Sequence, residues 1–248
     1  MQIRISFISE QDIVLPIHYN HILQAFIYNN IDGDLARFLH DKGYSKNSRS
    51  FKLFTFSRIL IRGRKAGRML NFGKKIEFIV SSPIEEFCKS ISNFMLLRDD
   101  LNIGGNRVVV EQIQLDKPLA NKEEIVVQTL SPIVTYSTLF RLDGSKYTCY
   151  FMPNEGDFNR IVSENLIRKY NAFYNADLSF DEGIEIEAIN TPRQNLVYYK
   201  NIVVKGASGK FIIRGKKELL QLGIDTGFGS KNSQGFGCVR LLKGDLSK

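Results

Sequence analysis

An α+β fold of two consecutive halves, each an antiparallel sheet with helices on one face, is predicted by three features of the 248-residue sequence. Apolar residues alternate with polar ones in short runs, the mark of a half-buried strand, and recur at three- and four-residue steps in others, the mark of an amphipathic helix. These runs follow one another as strand, helix, strand, strand, helix, strand. The same order then recurs, more loosely, beyond a polar stretch at residues 117–123 (KPLANKE).

The first strand spans residues 2–8, with Ile3, Ile5 and Phe7 on one face and Gln2, Arg4 and Ser6 on the other. A helix at 18–31 follows, its stripe formed by Ile22, Leu23, Phe26, Ile27 and Ile31, and Asp32-Gly33-Asp34 breaks it. A short helix from Leu35 to Asp41 is predicted next, with Asp34 as N-cap and Gly43 as stop. Residues 43–50 (GYSKNSRS) read as a polar loop. Strands at 52–62 and 72–80 flank the basic turn 63–68. Pro83 opens a helix through Leu97, the place where a proline lacking its N–H does no harm. A strand at 107–116 closes this half.

In the second half, strands are predicted at 124–129, 132–137 and 146–151, a helix from Glu155 to Tyr174, and strands at 184–190, 195–205 and 209–214. A short helix at 216–222 and a strand at 237–242 end it. The order β-α-β-β-α-β is that of the ferredoxin-like motif. The predicted architecture is therefore a tandem of ferredoxin-like (RRM-like) domains, at residues 1–118 and 124–244.

Composition narrows the partners. Hydrophobic residues make up 43% of the chain, enough for a core in each half. The formal charge of +8 and the pI near 9.3 favour a polyanionic partner, since basic side chains on phosphates release condensed counterions. The alternating amino-terminal run reads as a strand and not as a signal peptide, and no run reaches the roughly 18 apolar residues of a membrane span. A cytoplasmic protein without a membrane partner is expected. Cys88, Cys149 and Cys238 lie far apart without C-x-x-C spacing, so neither a disulfide framework nor a zinc site is indicated. His18 and His21 share a helix face but find no further ligands, so no metal and no other cofactor is expected.

The strongest local pattern is G-F-G-S-K-N-S-Q-G-F-G at residues 227–237. Glycines permit positive φ and close backbone approach, and consecutive amides in such a loop can cradle a phosphate. Gly227, Gly229, Gly235 and Gly237 with Ser230, Lys231, Asn232 and Ser233 are candidate RNA-binding residues. Two other readings compete. A mononucleotide loop would need G-x-x-x-x-G-K-[ST] opening a helix after a strand, and here the loop follows a helix and precedes a strand. A purely structural turn, with Phe228 and Phe236 in the core, fits the same residues.

Read with the two-half organisation and the basic balance, this loop resembles that of the CRISPR-associated repeat-processing endoribonucleases, whose signature is a carboxy-terminal G-h-G…G-h-G pattern with h hydrophobic. The likeness runs from the first strand to about Leu242 and includes residues 16–21, 23–29 and 52–57. It implies tandem ferredoxin-like domains and cleavage of CRISPR repeat transcripts.

Three residues of the first half suit such chemistry: Tyr28, His40 and Lys52. Tyr28 lies opposite the apolar stripe of its helix, beside His21, Gln24 and Ala25, so its hydroxyl points away from the local core. His40 ends the short helix and Lys52 begins a strand. RNA carries its own nucleophile, the 2′-hydroxyl. Catalysis then needs a group to take that proton, an acid for the leaving 5′-oxygen and a cation for the developing charge. The resemblance implies that tyrosine, histidine and lysine at these positions form the active site: Tyr28 as general base or 2′-hydroxyl orienter, His40 as general acid, Lys52 as phosphate stabiliser. It also implies 2′,3′-cyclic phosphate and 5′-hydroxyl ends.

The densest basic run adds Arg58, Arg62, Arg64, Lys65 and Arg68 as RNA contacts, the last three in a turn suited to tracking phosphates. A second cluster comprises Lys200, Lys205, Lys210, Arg214, Lys216 and Lys217; lysines on exposed strands are also common edge protection. No RNP1-like run is present, so base stacking on a sheet face in the manner of an ordinary RRM is not indicated. The expected function is metal-independent cleavage of a CRISPR repeat RNA, single-stranded or hairpin. The alternative is a non-catalytic RNA-binding subunit of a CRISPR ribonucleoprotein. Further partners left open are other subunits of an interference complex and a second copy of the chain.

Overall fold

The computed structural model describes residues 1–47, 49–200 and 202–242. The expected end of the second half at residue 244 lies outside them. Strand β1 (Gln2–Ile8) leads through β2 (Val14–Pro16) into helix α1 (Asn20–Asn29) and the short α2 (Gly33–Arg37). Hairpin β3 (Tyr44–Lys46) and β4 (Arg49–Phe51), strand β5 (Thr55–Phe56) and hairpin β6 (Arg64–Ala66) and β7 (Met69–Asn71) follow. Then come β8 (Lys75–Ser81), α3 (Glu85–Leu96), β9 (Leu101–Ile103) and β10 (Asn106–Asp116). The main sheet has the order β5-β8-β1-β10-β9, all antiparallel. Leaving out the short edge strand β9, that is second, third, first, fourth, the ferredoxin-like order.

The second half repeats it. After β11 (Glu124–Thr129) comes hairpin β12 (Tyr136–Phe140) and β13 (Lys146–Tyr150), then α4 (Gly156–Tyr174) and β14 (Glu185–Ala188). Hairpin β15 (Arg193–Tyr199) and β16 (Ile202–Ser208) runs on into β17 (Lys210–Arg214), followed by α5 (Lys217–Thr226) and β18 (Val239–Leu241). The sheet order β14-β17-β11-β18 is again second, third, first, fourth.

The period-two face of β1 packs as expected. Ile3, Ile5 and Phe7 are fully buried, with Phe7 edge-on to Phe26 of α1 at 5.5 Å and stacked on Phe78 of β8 at 5.6 Å. Burying such side chains stabilises the fold by about 2–3 kcal/mol each. Val127, Phe158, Phe211, Ile213 and Leu220 build the second core in the same way. The halves meet through hydrogen bonds from the first sheet to a strand, a helix and the glycine loop of the second half: Gln2 to the Val239 carbonyl (2.9 Å), Ser81 to that of Ile224 (3.2 Å) and Thr55 to that of Phe236 (2.9 Å). Among the described residues, no helix is long and apolar enough to cross a membrane.

Four local expectations are corrected. Asp32, and not Asp34, caps α2, its carboxylate accepting from the amides of Asp34 and Leu35 at 3.0 Å, because Gly33 enters the helix. The polar loop at 43–50 contains hairpin β3–β4. The strand expected at 52–62 is regular only at β5, with isolated further bonds from the Ser57 and Leu60 amides to β8, and Leu53 takes a left-handed φ of 50°, which breaks the extended run. The strand expected at 195–205 is the two-stranded β15–β16, which reverses at Lys200 (φ 53°).

Candidate active site and basic cleft

Tyr28 sits on the last turn of α1, half-buried, its ring edge-on to Phe54 at 5.5 Å. Its ring also stands edge-on to the imidazole of His40, with 6.0 Å between centroids. Burial pushes the phenol up to about 12, and nearby Tyr199 adds to the effect. An ionised tyrosine is therefore disfavoured here at neutral pH.

His40 is carried by a wide turn. The short helix does not run to Asp41; after Arg37 it opens into a π turn at Phe38–Lys42, ended by Gly43 at φ 65°. Such turns are rare and recur at functional sites. Here the turn buries Leu39 while holding His40 outward, with its side chain 76% exposed. The ring Nδ1 lies 2.8 Å from the Asp41 carboxylate. A carboxylate at Nδ1 takes the N–H on that side and leaves Nε2 facing outward.

Lys52 precedes the left-handed Leu53. Its ammonium donates to the His40 carbonyl at 2.8 Å, tying β4 to the π turn. Partial burial lowers its pKa, and the Asp41 carboxylate opposes that. The three side chains that lie far apart in sequence thus gather at one place. A non-glycine residue held at positive φ beside them is strain of the kind found at functional sites.

The second half buttresses this place. Lys46 of β3 pairs with Asp177 (2.6 Å) and donates to the Ala176 carbonyl just beyond α4, while Tyr44 packs edge-on to Phe173 of α4 at 5.4 Å. From the other side the Tyr199 hydroxyl bonds Gln24, one turn before Tyr28 on α1, and Tyr198 lies 4.9 Å from His18.

Lys52 also lines a cleft of about 720 Å³ between the halves. Its walls are residues 49–54, Tyr136, Ser137 and Thr138 at the root of the β12–β13 hairpin, one side of α4 (Arg160, Ile161, Glu164, Asn165, Arg168, Lys169), and Ser230, Lys231, Asn232, Ser233 and Gln234 of the glycine loop. Six cations and one carboxylate face this space among the described residues. Arg49, Tyr136, Arg160, Arg168 and Lys169 were not singled out from the sequence. One signal did exist. Lys169 falls on the buried stripe of α4 with Phe158, Val162 and Leu166, where an apolar residue is the norm.

The glycine loop divides into two roles. Gly227, Gly229, Gly235 and Gly237 are buried, and the amides of Gly227, Gly235 and Gly237 bond the carbonyls of Gly223, Asn232 and Pro132. They do not form the expected cradle of free amides. Instead they allow close packing: a methyl group at Gly235 would overlap the Phe56 ring, and one at Gly237 the Phe228 carbonyl. Phe228 and Phe236 are fully buried, as the structural reading of the loop has it. Asn20 of α1 clamps the loop by donating to the Gln234 and Gly235 carbonyls at 2.9 and 3.1 Å. Only the segment between the glycine pairs reaches the cleft. There Lys231 lies 5.1 Å over the Tyr136 ring, its pKa lowered by burial.

Arg58 does not join the basic hairpin as expected. The strand ends at Phe56, so the 58/60/62 alternation lapses; Arg58 turns inward and donates to Asn195 of β15 at 3.1 Å. Arg62, Arg64, Lys65 and Arg68 are exposed. The last three lie on the β6–β7 hairpin, which pairs with β2 outside the main sheet and turns at Gly67.

Comparison with known proteins identifies the family of the fold. Residues 14–114 match the family described as "CRISPR-associated protein Cas6, N-terminal", and residues 115–241 that described as "CRISPR associated protein Cas6, C-terminal". The chain is 31% identical over 245 residues to "CRISPR-associated endoribonuclease Cas6 1" of Methanocaldococcus jannaschii, covering 96% of this chain and 92% of that one. It is 29% identical over 241 residues to "CRISPR-associated endoribonuclease Cas6" of Pyrococcus furiosus, covering 94% and 86%. A solved structure titled "CRISPR associated protein Cas6" superposes with a TM-score of 0.78 at 29% identity, over 98% of this chain and 99% of that one. With both halves matched end to end in sequence and in fold, the chain belongs to the Cas6 family of CRISPR-associated proteins.

Proposed function

We propose that the protein is a metal-independent endoribonuclease that cuts CRISPR repeat RNA at the site formed by Tyr28, His40 and Lys52. The observation that carries this reading is their convergence: the Tyr28 ring against the His40 ring, and the Lys52 ammonium on the His40 carbonyl, at the rim of a basic cleft. RNA lies along the cleft, its phosphates met by Arg49, Arg160, Arg168 and Lys231. The exposed Arg62, Arg64, Lys65 and Arg68 form a second basic patch for the same strand or its stem. Ser230, Asn232 and Ser233 supply neutral donors.

The burial of Tyr28 favours one of its two roles. A phenol held near 12 does not ionise at neutral pH, so Tyr28 orients the 2′-hydroxyl through a hydrogen bond instead of removing its proton. His40 in its imidazolium form is held by Asp41 at Nδ1 and gives the Nε2 proton to the leaving 5′-oxygen. Lys52 stabilises the charge that grows on the phosphorane oxygens. The 2′-hydroxyl releases its proton to solvent water as its oxygen bonds to phosphorus, and the P–O5′ bond breaks with the His40 proton passing to O5′, giving 2′,3′-cyclic phosphate and 5′-hydroxyl ends.

Incubating purified protein with one repeat of RNA, with and without EDTA, and mapping the ends tests the reading. Cyclic-phosphate ends at a single bond, unaffected by EDTA, are expected. Tightly bound but uncut RNA would instead make the protein a non-catalytic RNA-binding subunit, and loss of cleavage in EDTA would require a metal.

A further inference from the structure

Among the described residues two charged side chains lie almost wholly buried, Asp225 and Lys169. Asp225 is paired with the amino group of Met1. Lys169 is 3% exposed and, among the described residues, has no carboxylate within ion-pair distance. Its ammonium donates to the carbonyls of Gly227 (2.7 Å) and Gly229 (3.1 Å), two neutral acceptors for a group with three donors. A buried charge without a partner is strongly disfavoured, and a bound counter-ion is one remedy.

The carboxylates near Lys169 among the described residues are already engaged by other cations. On its own helix, Arg160 and Arg168 share Glu164 at 2.9 and 3.0 Å. The glycine loop brings Lys231 and the first half brings Arg49 and Lys52, while the buried Asp225 is already paired with the Met1 amino group. Two acceptors of the same cleft are also unmatched: Asn165 Oδ1, one turn before Lys169, and Gln234 Oε1 on the opposing wall are buried and bond nothing. A bare inorganic anion has no donor to offer them. A ribonucleotide has, in its 2′-hydroxyl and base N–H groups.

We propose that Lys169 is the resident cation for an RNA phosphate seated on the cleft floor, and that the cleft takes up a proton when RNA binds. This rests on the reading of the cleft as the RNA path. Burial alone lowers the Lys169 pKa to about 7 in the free protein, so at slightly alkaline pH the amine is mostly neutral. A phosphate nearby favours the charged form and draws a proton in. Affinity therefore falls as pH rises above about 7. The same ammonium holds Gly227 and Gly229, so filling the cleft also tightens the loop that joins the two halves.

Titration calorimetry decides it, using the full chain and one repeat of RNA with a 2′-deoxynucleotide at the cut. At about pH 8, in Tris and in HEPES, the binding enthalpies are expected to differ by uptake of more than about half a proton. The uptake should vanish in K169M and persist in H40A, which excludes the imidazole as its source. Equal enthalpies in both buffers, or undiminished uptake in K169M, would overturn the proposal. If K169M does not fold, the wild type still decides: uptake must be larger at about pH 8 than at about pH 6, and the reverse order sinks the proposal. Failure of the wild type to bind repeat RNA at any pH would refute the function reading itself, a result distinct from binding without proton uptake.

Discussion

His40 and Lys169 are the two side chains whose surroundings say most about them. His40 stands outward on its π turn, in ring contact with Tyr28 and held at Nδ1 by Asp41, so little of the fold depends on its imidazole. His40→Ala is expected to lower single-turnover cleavage by about 10²–10⁴-fold, the usual loss for one acid–base group, while RNA affinity stays within a few-fold. Cleavage at the wild-type rate would remove His40 from the acid role. Lys169 makes a prediction about stability. Its pKa is depressed on folding, to about 7 from the usual 10.5, so between those values the unfolded chain binds the extra proton. Stability then rises with pH across that window, by up to about 1.4 kcal/mol per unit from this group, and is lowest below it. Urea titrations from about pH 7 to 9 should show the rise in the wild type and a flatter profile in K169M.

At the scale of elements, the glycine loop is a joint before it is a binding surface. Its glycines occupy left-handed backbone against neighbours that leave no room for a methyl group, whereas Gly67 in the β6–β7 turn has the same handedness and open space around it. Gly235→Ala is therefore expected to cost about 2–4 kcal/mol in denaturant unfolding, through strain and overlap with Phe56. Gly67→Ala should cost only about 1 kcal/mol, from strain alone. Equal effects would mean that the Phe56 contact yields freely. This contrast shows how far the sequence could be read. The pattern G-F-G…G-F-G announced a backbone that needs glycine, and the buried Phe228 and Phe236 fit the structural reading of the turn. It could not say that the amides would be satisfied inside, because their acceptors, such as the Pro132 carbonyl, lie far away in sequence. Tyr28 and His40 were legible from residue type and helix register. Arg49, Arg168 and Tyr136 were not, since a charged helix face or a hairpin root becomes a cleft wall only when another half of the chain stands opposite.

For the molecule as a whole, two copies of one topology are fastened by hydrogen bonds from the first sheet to the second half, and the candidate site belongs to both. Its three side chains come from the first half, but Asp177 beyond α4, pairing with Lys46, and Tyr199, bonding Gln24, brace it from the second. Cations facing the cleft make binding depend on salt. Arg49→Ala, at an exposed position of the wall, is expected to reduce the slope of log affinity against log salt by about 0.7, the value for one contact to a single strand, without altering the cut position. An unchanged slope would place the RNA elsewhere, with the exposed hairpin arginines as the next surface to neutralise.

The sequence by itself determined the two-half, ferredoxin-like order of the main elements, the basic balance and three candidate side chains, because periodicity, net charge and residue chemistry are local or additive properties. The tertiary structure alone decided that those three meet, that Arg58 turns inward to join the halves, and that Lys169 lies buried beneath a basic cleft. These are matters of what stands opposite what, and burial and charge pairing depend on distances across the chain that no local pattern contains.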